Sequence, residues 1–252
     1  MIRSFLFNIV FYVVTALFVT LGSPLLFGPR RWAMAGLKAH AVTCLWLLKR
    51  IAGIGLEVRG QEYLLPGPVL VAVKHQSAWE TFGLIPLMPD PTVVMKAELF
   101  KIPFHGWFAR KLEMISVARE TGPSAIRHML RQARTQANKK REIVIFPEGT
   151  RRPPGAAPAY MPGVLMLYDA LNVPVCPVAL NSGLYWPRRR FGRFPGTIIV
   201  EFLEPIPSGL PRKEFMSRLQ NAIEPAADRL LREALSSRNP PPKPAALKPQ
   251  KT

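Results

Sequence analysis

The sequence predicts an α/β fold: a mostly parallel central sheet flanked by helices, preceded by an N-terminal apolar helical hairpin. Three observations lead there. Short runs rich in β-branched residues alternate with stretches of helical length through the middle of the chain, the order that builds parallel strands with helices over both faces. The 252 residues, 48% hydrophobic, suffice for one large domain with a small appendage. The chain also begins with a long uncharged apolar stretch, Phe5 to Leu21. The expected division is residues 1–55 as membrane-associating helices, 56–235 as the α/β domain and 236–252 as a disordered basic tail.

Within the first stretch only Asn8, Thr15 and Thr20 are polar, and Gly22-Ser23-Pro24 should bend or end the helix. Its roughly seventeen residues rise about 26 Å, slightly less than the roughly 30 Å hydrocarbon core of a bilayer. Arg3 precedes the run and Arg30 and Arg31 follow it, so charge fixes no orientation and a re-entrant or in-plane anchor suits the symmetry. No small-x-small cleavage site follows, which argues against a signal peptide. Trp32 to Ile54 is apolar but interrupted by Lys38, His40, Lys49 and Arg50. It is the expected second helix, with a polar edge at the headgroups; an ordinary core helix pair is the alternative.

After Gly53-Ile54-Gly55 the pattern changes. Strands are expected near residues 56–59, 69–73, 92–95, 114–117, 143–146, 175–179 and 198–202. Helices fit around 78–87, 123–138, 162–171 and 213–235. From Ser236 onward proline and lysine dominate, with Pro240-Pro241-Pro242 followed by Lys243, Lys248 and Lys251, and such a segment has almost nothing to bury.

A net charge of +18 and a pI near 10.7 imply an anionic partner: nucleic acid, a phospholipid surface or a phosphorylated substrate. The apolar N-terminus favours the membrane and argues against nucleic acid. Cys44 and Cys176 lie far apart in apolar stretches without metal-ligand spacing and read as buried thiols in a reducing compartment. No metal cluster or nucleotide-binding glycine fingerprint is present.

Two segments about seventy residues apart carry the chemistry. Lys74-His75-Gln76-Ser77-Ala78-Trp79-Glu80 and Phe146-Pro147-Glu148-Gly149-Thr150-Arg151 each follow an apolar strand-like run, so both belong where α/β sheets keep their sites. Five residues at 100° each would set His75 and Glu80 about 140° apart on one helix. They meet only if His75 stands before the helix, at the end of the strand, with Gln76-Ser77 starting the helix. A carboxylate holding one imidazole nitrogen leaves the other to accept a proton, the arrangement of a general base. In the second segment Gly149 permits a tight exit from the strand, and Arg151 and Arg152 supply guanidinium forks that match phosphate oxygens. A serine hydrolase using Ser77 lacks the nucleophile-elbow pattern.

With these segments the chain resembles the 1-acyl-glycerol-3-phosphate (lysophosphatidate) acyltransferases and related glycerolipid acyltransferases over about residues 60–205. Two further blocks support the likeness: Lys96-Ala97-Glu98-Leu99-Phe100-Lys101-Ile102-Pro103 running through Gly106-Trp107 to Arg119, and Val173-Pro174-Val175-Cys176-Pro177-Val178. The resemblance implies a membrane-bound O-acyltransferase that moves a fatty acyl group from acyl-CoA or acyl-carrier protein to the sn-2 hydroxyl of a lysophospholipid acceptor, 1-acyl-glycerol 3-phosphate. The product is phosphatidate for phospholipid biosynthesis, formed without cofactor or acyl-enzyme. It implies His75 as base with Glu80 beside it, Lys96 and Arg119 on the acceptor's phosphate, and Glu148, Gly149, Thr150 and Arg151 as the acceptor-binding turn. The implied location is a bacterial inner membrane, with the catalytic domain on its cytoplasmic face. The family's partner to the histidine is normally aspartate, whereas this chain has Glu80. His105 is assigned no catalytic role. Other acceptors, a lyso-ornithine lipid or glycerol 3-phosphate, and a non-catalytic lipid-binding relative are the alternatives.

Overall fold

A computed structural model describes residues 1–118 and 122–247. The chain opens with helix α1 (Ile2–Leu21), a 3₁₀ turn at Ser23–Leu26 and helix α2 (Arg30–Leu47). The two helices pack antiparallel: Arg3 Nε donates to the carbonyl of Ile51 at 2.8 Å, Thr15 Oγ1 meets His40 Nε2 at 3.1 Å, and Phe18 lies edge-on to the His40 ring. This is the expected hairpin. Its second helix stops at Leu47, short of Ile54, passes through a π-helical turn at Leu48–Ala52, and is closed by Gly53 at φ 72°, a left-handed cap that favours glycine.

Strand β1 (Ile54–Arg59) follows, then β2 (Val69–Val73), the short helix α3 (Glu80–Gly83), β3 (Thr92–Lys96), helix α4 (His105–Lys111), β4 (Ile115–Val117), α5 (Gly122–Asn138), β5 (Glu142–Ile145), α6 (Gly163–Leu171), β6 (Val175–Leu180), α7 (Ser182–Tyr185), β7 (Gly196–Phe202) and α8 (Arg212–Leu235). The seven strands form one sheet in the order β1-β7-β6-β2-β5-β3-β4. β6, β2, β5, β3 and β4 run parallel; β7 is antiparallel to β6 and parallel to β1. The mostly parallel sheet is therefore mixed at one side.

β2 sits at the centre and is buried throughout. Val69, Val71 and Val73 point into one apolar cluster with Trp79, Phe82, Trp186 and Phe7 of α1, while Leu70 and Ala72 point into a second with Met129 of α5, Leu167 of α6 and Phe215 of α8. Both faces of the sheet are thus covered at its centre, which is why β2 is apolar without alternation.

Two expectations for the helices need correction. The helix expected over residues 78–87 is only α3 plus a 3₁₀ turn at Ile85–Leu87: Pro86 removes a backbone donor and disfavours continuing the α-helix through the residue before it. Helix α4 begins at His105, within the apolar stretch 100–108, where no helix was expected. In α4 Gly106 lies so close to the Phe100 carbonyl that a Cβ would stand 2.0 Å from the oxygen. Its neighbours Ile102 and Trp107 are about half exposed, while Ala109 and Leu112 join the core. Of residues 236–252, those up to 247 are described; Pro241 is buried and a 3₁₀ turn occupies Ala245–Leu247.

Candidate active site

The carboxyl ends of β2, β5 and β3 lie side by side at one edge of the sheet. β2 ends at Val73 and α3 begins at Glu80, so His75 stands in the connection and ahead of the helix. There its Nδ1 and Glu80 Oε2 are 2.7 Å apart, with the His75 side chain 12% exposed and that of Glu80 fully buried. The carboxylate also accepts from the backbone N–H of Ser77 at 2.9 Å and of Gln76 at 3.3 Å, and from the Ser182 hydroxyl. With every neighbour a donor, Glu80 is held as an acceptor, so Nδ1 carries the ring proton and Nε2 is left with its lone pair. Nε2 has no protein hydrogen-bond partner among the described residues. The ring stacks on Phe146, centroids 4.0 Å apart.

Sequence reasoning missed the residues that hold this loop. Lys74, 4% exposed, reaches Glu148 Oε1 at 2.9 Å and both Glu224 oxygens at 2.8 Å, and Tyr160 donates to Glu224 at 2.8 Å. Glu148 accepts the His75 N–H at 3.2 Å, and the Arg152 N–H donates to the His75 carbonyl at 2.8 Å. Burial raises the Glu148 carboxyl above its ordinary range, opposed by Lys74. On the other side Gln76 Oε1 accepts the Gly183 N–H at 3.1 Å, and Ser77 Oγ donates to the Trp186 carbonyl at 2.7 Å. Ser77 is fully buried and its oxygen also accepts the Trp79 N–H, so it is no exposed nucleophile. The one local signal for this brace was a lysine directly after an all-apolar strand.

The structure brings His75, Glu80 and Glu148 together. Gly149 turns the chain at φ 60°, its N–H closing on the Phe146 carbonyl at 2.8 Å, and Thr150 and Arg151 follow, half-buried. Lys96 is at the same sheet edge, exposed at the end of β3. It lies two strand spacings, about 10 Å, across from β2, and none of the other candidates bonds to it. Arg119 lies outside the described residues. His105, which begins α4, faces the Leu99 carbonyl through Nδ1 at 3.2 Å.

A buried carboxylate orienting a histidine with a free nitrogen, next to a glycine turn bearing an arginine, is a geometry suited to general-base chemistry in an α/β protein. Comparison with known proteins gives the family. The Acyltransferase family profile matches residues 55–181, about half of the chain, and the chain belongs to that family. It is 38% identical over 156 residues to a 1-acyl-sn-glycerol-3-phosphate acyltransferase of Pseudomonas aeruginosa, covering 62% of this chain and 61% of that protein. It is 30% identical over 162 residues to the mouse 1-acyl-sn-glycerol-3-phosphate acyltransferase alpha, covering 63% and 57%. The matches thus span about three fifths of each curated relative. In fold it is similar to the crystal structure of the 1-acyl-sn-glycerophosphate (LPA) acyltransferase PlsC from Thermotoga maritima, with a TM-score of 0.77 and 21% identity over 91% of this chain and 96% of that one.

Proposed function

We propose that the protein transfers a fatty acyl group from a thioester, acyl-CoA or acyl-carrier protein, to the sn-2 hydroxyl of 1-acyl-glycerol 3-phosphate, giving phosphatidate. One observation carries the reading: His75 presents a free Nε2 while Glu80 holds Nδ1. The relatives' names support this acceptor. In the proposed reaction Nε2 takes the proton as the hydroxyl oxygen attacks the thioester carbonyl. The tetrahedral intermediate expels the thiolate, which takes that proton back from the imidazolium. No acyl-enzyme forms and no cofactor takes part. A positioned base of this kind is worth about 10² to 10⁴ in rate.

The acceptor's phosphate is assigned to Arg151 with the amides of the Gly149-Thr150 turn, and to Lys96 and Arg119. Glu148 acts from beneath the turn by fixing Lys74 and the His75 backbone. The hairpin is assigned to the bilayer surface. Along α1 the side chains of Leu6, Ile9, Val13 and Leu17 are about half exposed, whereas Phe7 and Phe11 pack on Trp186. One face is therefore docked on the domain and the other is free for lipid. In this reading the catalytic domain lies beside the membrane and takes its donors from the aqueous side.

The test is a panel of acceptors given to the purified protein with both donors, following thiol release. Lysophosphatidate is expected to be the preferred acceptor. Activity confined to a phosphate-free acceptor such as a lyso-ornithine lipid would sink the assignment.

A further inference from the structure

Between α1 and the segment joining α7 to β7 lies a cleft of about 370 Å³, lined by the aromatic side chains of Phe11, Tyr12, Phe82 and Trp186 and by five arginines, Arg151, Arg188, Arg189, Arg190 and Arg193. None of the five has a carboxylate within ion-pair reach among the described residues. Five cations lining one cleft without a carboxylate partner give it a positive potential that an anionic ligand would complement.

The segment is built to hold that charge in place. Arg193 stacks over the Trp186 ring at 4.3 Å, and its Nη1 donates to the carbonyls of Arg190, Phe191 and Gly192 at 2.9, 3.1 and 3.1 Å. Burial lowers its pKa to about 10, and its Nε is buried without a partner among the described residues. Ser4 of α1 ties down the Arg193 backbone N–H at 3.0 Å. Arg188 donates to the Arg151 carbonyl at 2.8 Å, joining this segment to the glycine turn, while Arg188, Arg189 and Arg190 keep exposed side chains.

We propose that this cleft receives the phosphate end of the lysophospholipid acceptor, with Arg188 and Arg190 extending the recognition begun at Arg151 and the acyl chain leaving along Phe11 and Tyr12 onto the outer face of α1. The inference rests on the acceptor reading above. A lining that combines aromatic side chains with arginines fits a single-tailed anionic amphiphile. A phosphate monoester, carrying up to two charges and three acceptor oxygens, matches convergent guanidinium groups better than a zwitterionic headgroup.

The test replaces Arg188 and Arg190 together by glutamine on exposed positions, with thermal melting to verify folding. Lysophosphatidate and lysophosphatidylcholine are titrated calorimetrically into the full chain in neutral detergent, without donor. Sedimentation with phosphatidylcholine vesicles containing phosphatidylglycerol is measured alongside. The expected result is a lysophosphatidate Kd weakened about tenfold or more, lysophosphatidylcholine bound weakly by both proteins, and vesicle sedimentation unchanged. An unchanged lysophosphatidate Kd overturns the proposal. Loss of vesicle binding in its place would mark the arginines as contacts to the bilayer, and no change in either would mark them as solvated charge. Binding without turnover separates the two claims. Lysophosphatidate that binds through these arginines but accepts no acyl group leaves this proposal standing and removes the acceptor reading; acyl transfer with a Kd indifferent to the arginines does the reverse.

Discussion

Glu80 gathers donors from three places: the Nδ1 of His75, the amides of Gln76 and Ser77, and the hydroxyl of Ser182. Ser182 thereby fixes the carboxylate oxygen that does not face the histidine, which makes it a positioning residue. Ser182→Ala should lower kcat about tenfold, the loss of one hydrogen bond to a charged group, and move the acid limb of the pH–rate profile, with KM for lysophosphatidate within about twofold. Ser182→Thr should recover most of the rate. An unchanged kcat and pH profile for the alanine variant would show that the amides and His75 suffice. Lys74 poses a question of stability, since it neutralises two carboxylates, Glu148 and Glu224, while itself 4% exposed. Lys74→Met leaves those charges facing each other and should cost about 3–5 kcal/mol, read as a lowered midpoint in urea; a midpoint within error of wild type would contradict the brace. The His75–Glu80 pair was legible because strand end, spacing and residue type are all local. Ser182, Glu224 and Tyr160 were not, because they reach the site across 102, 150 and 64 residues of sequence, respectively to Glu80, Lys74 and Glu224, and only packing brings them there.

At the level of elements, the seven strands were legible from their short runs of β-branched and apolar residues, with β5 beginning at Glu142 and β6 ending at Leu180 within a residue or so of expectation. What the sequence did not show was pairing direction: β7 reads like its neighbours in composition, yet lies antiparallel to β6. Helix α4 was hidden because it is only seven residues long and its first turn follows Phe104 at φ 59°, a conformation that no local pattern announces. For α1 the two faces make separate claims. Val13→Glu together with Leu17→Glu, both on the outer face, should release the protein from vesicles and leave its melting temperature within a few degrees. Phe7→Ala, on the docked and fully buried face, should cost about 3–5 kcal/mol. Sedimentation of the double glutamate variant at the wild-type level would contradict lipid contact through α1.

The whole molecule combines a basic charge of +18 with an apolar hairpin, and the fold puts both beside one site. α1 docks on Trp186 and on the segment bearing Arg193, and the same stretch of chain, through Ser182, reaches Glu80. Under the proposed function a lipid at the surface would reach His75 past α1 and the segment bearing Arg193, and that reading stands or falls on His75 acting as base. The most direct measurement is thiol release from acyl-CoA and from acyl-carrier protein, with lysophosphatidate as acceptor, for wild type and His75→Ala in washed membranes at matched amounts of folded protein. With His75 as the base, the variant loses about 10² to 10⁴ in rate with its melting temperature preserved. Full acyl transfer by His75→Ala would contradict it.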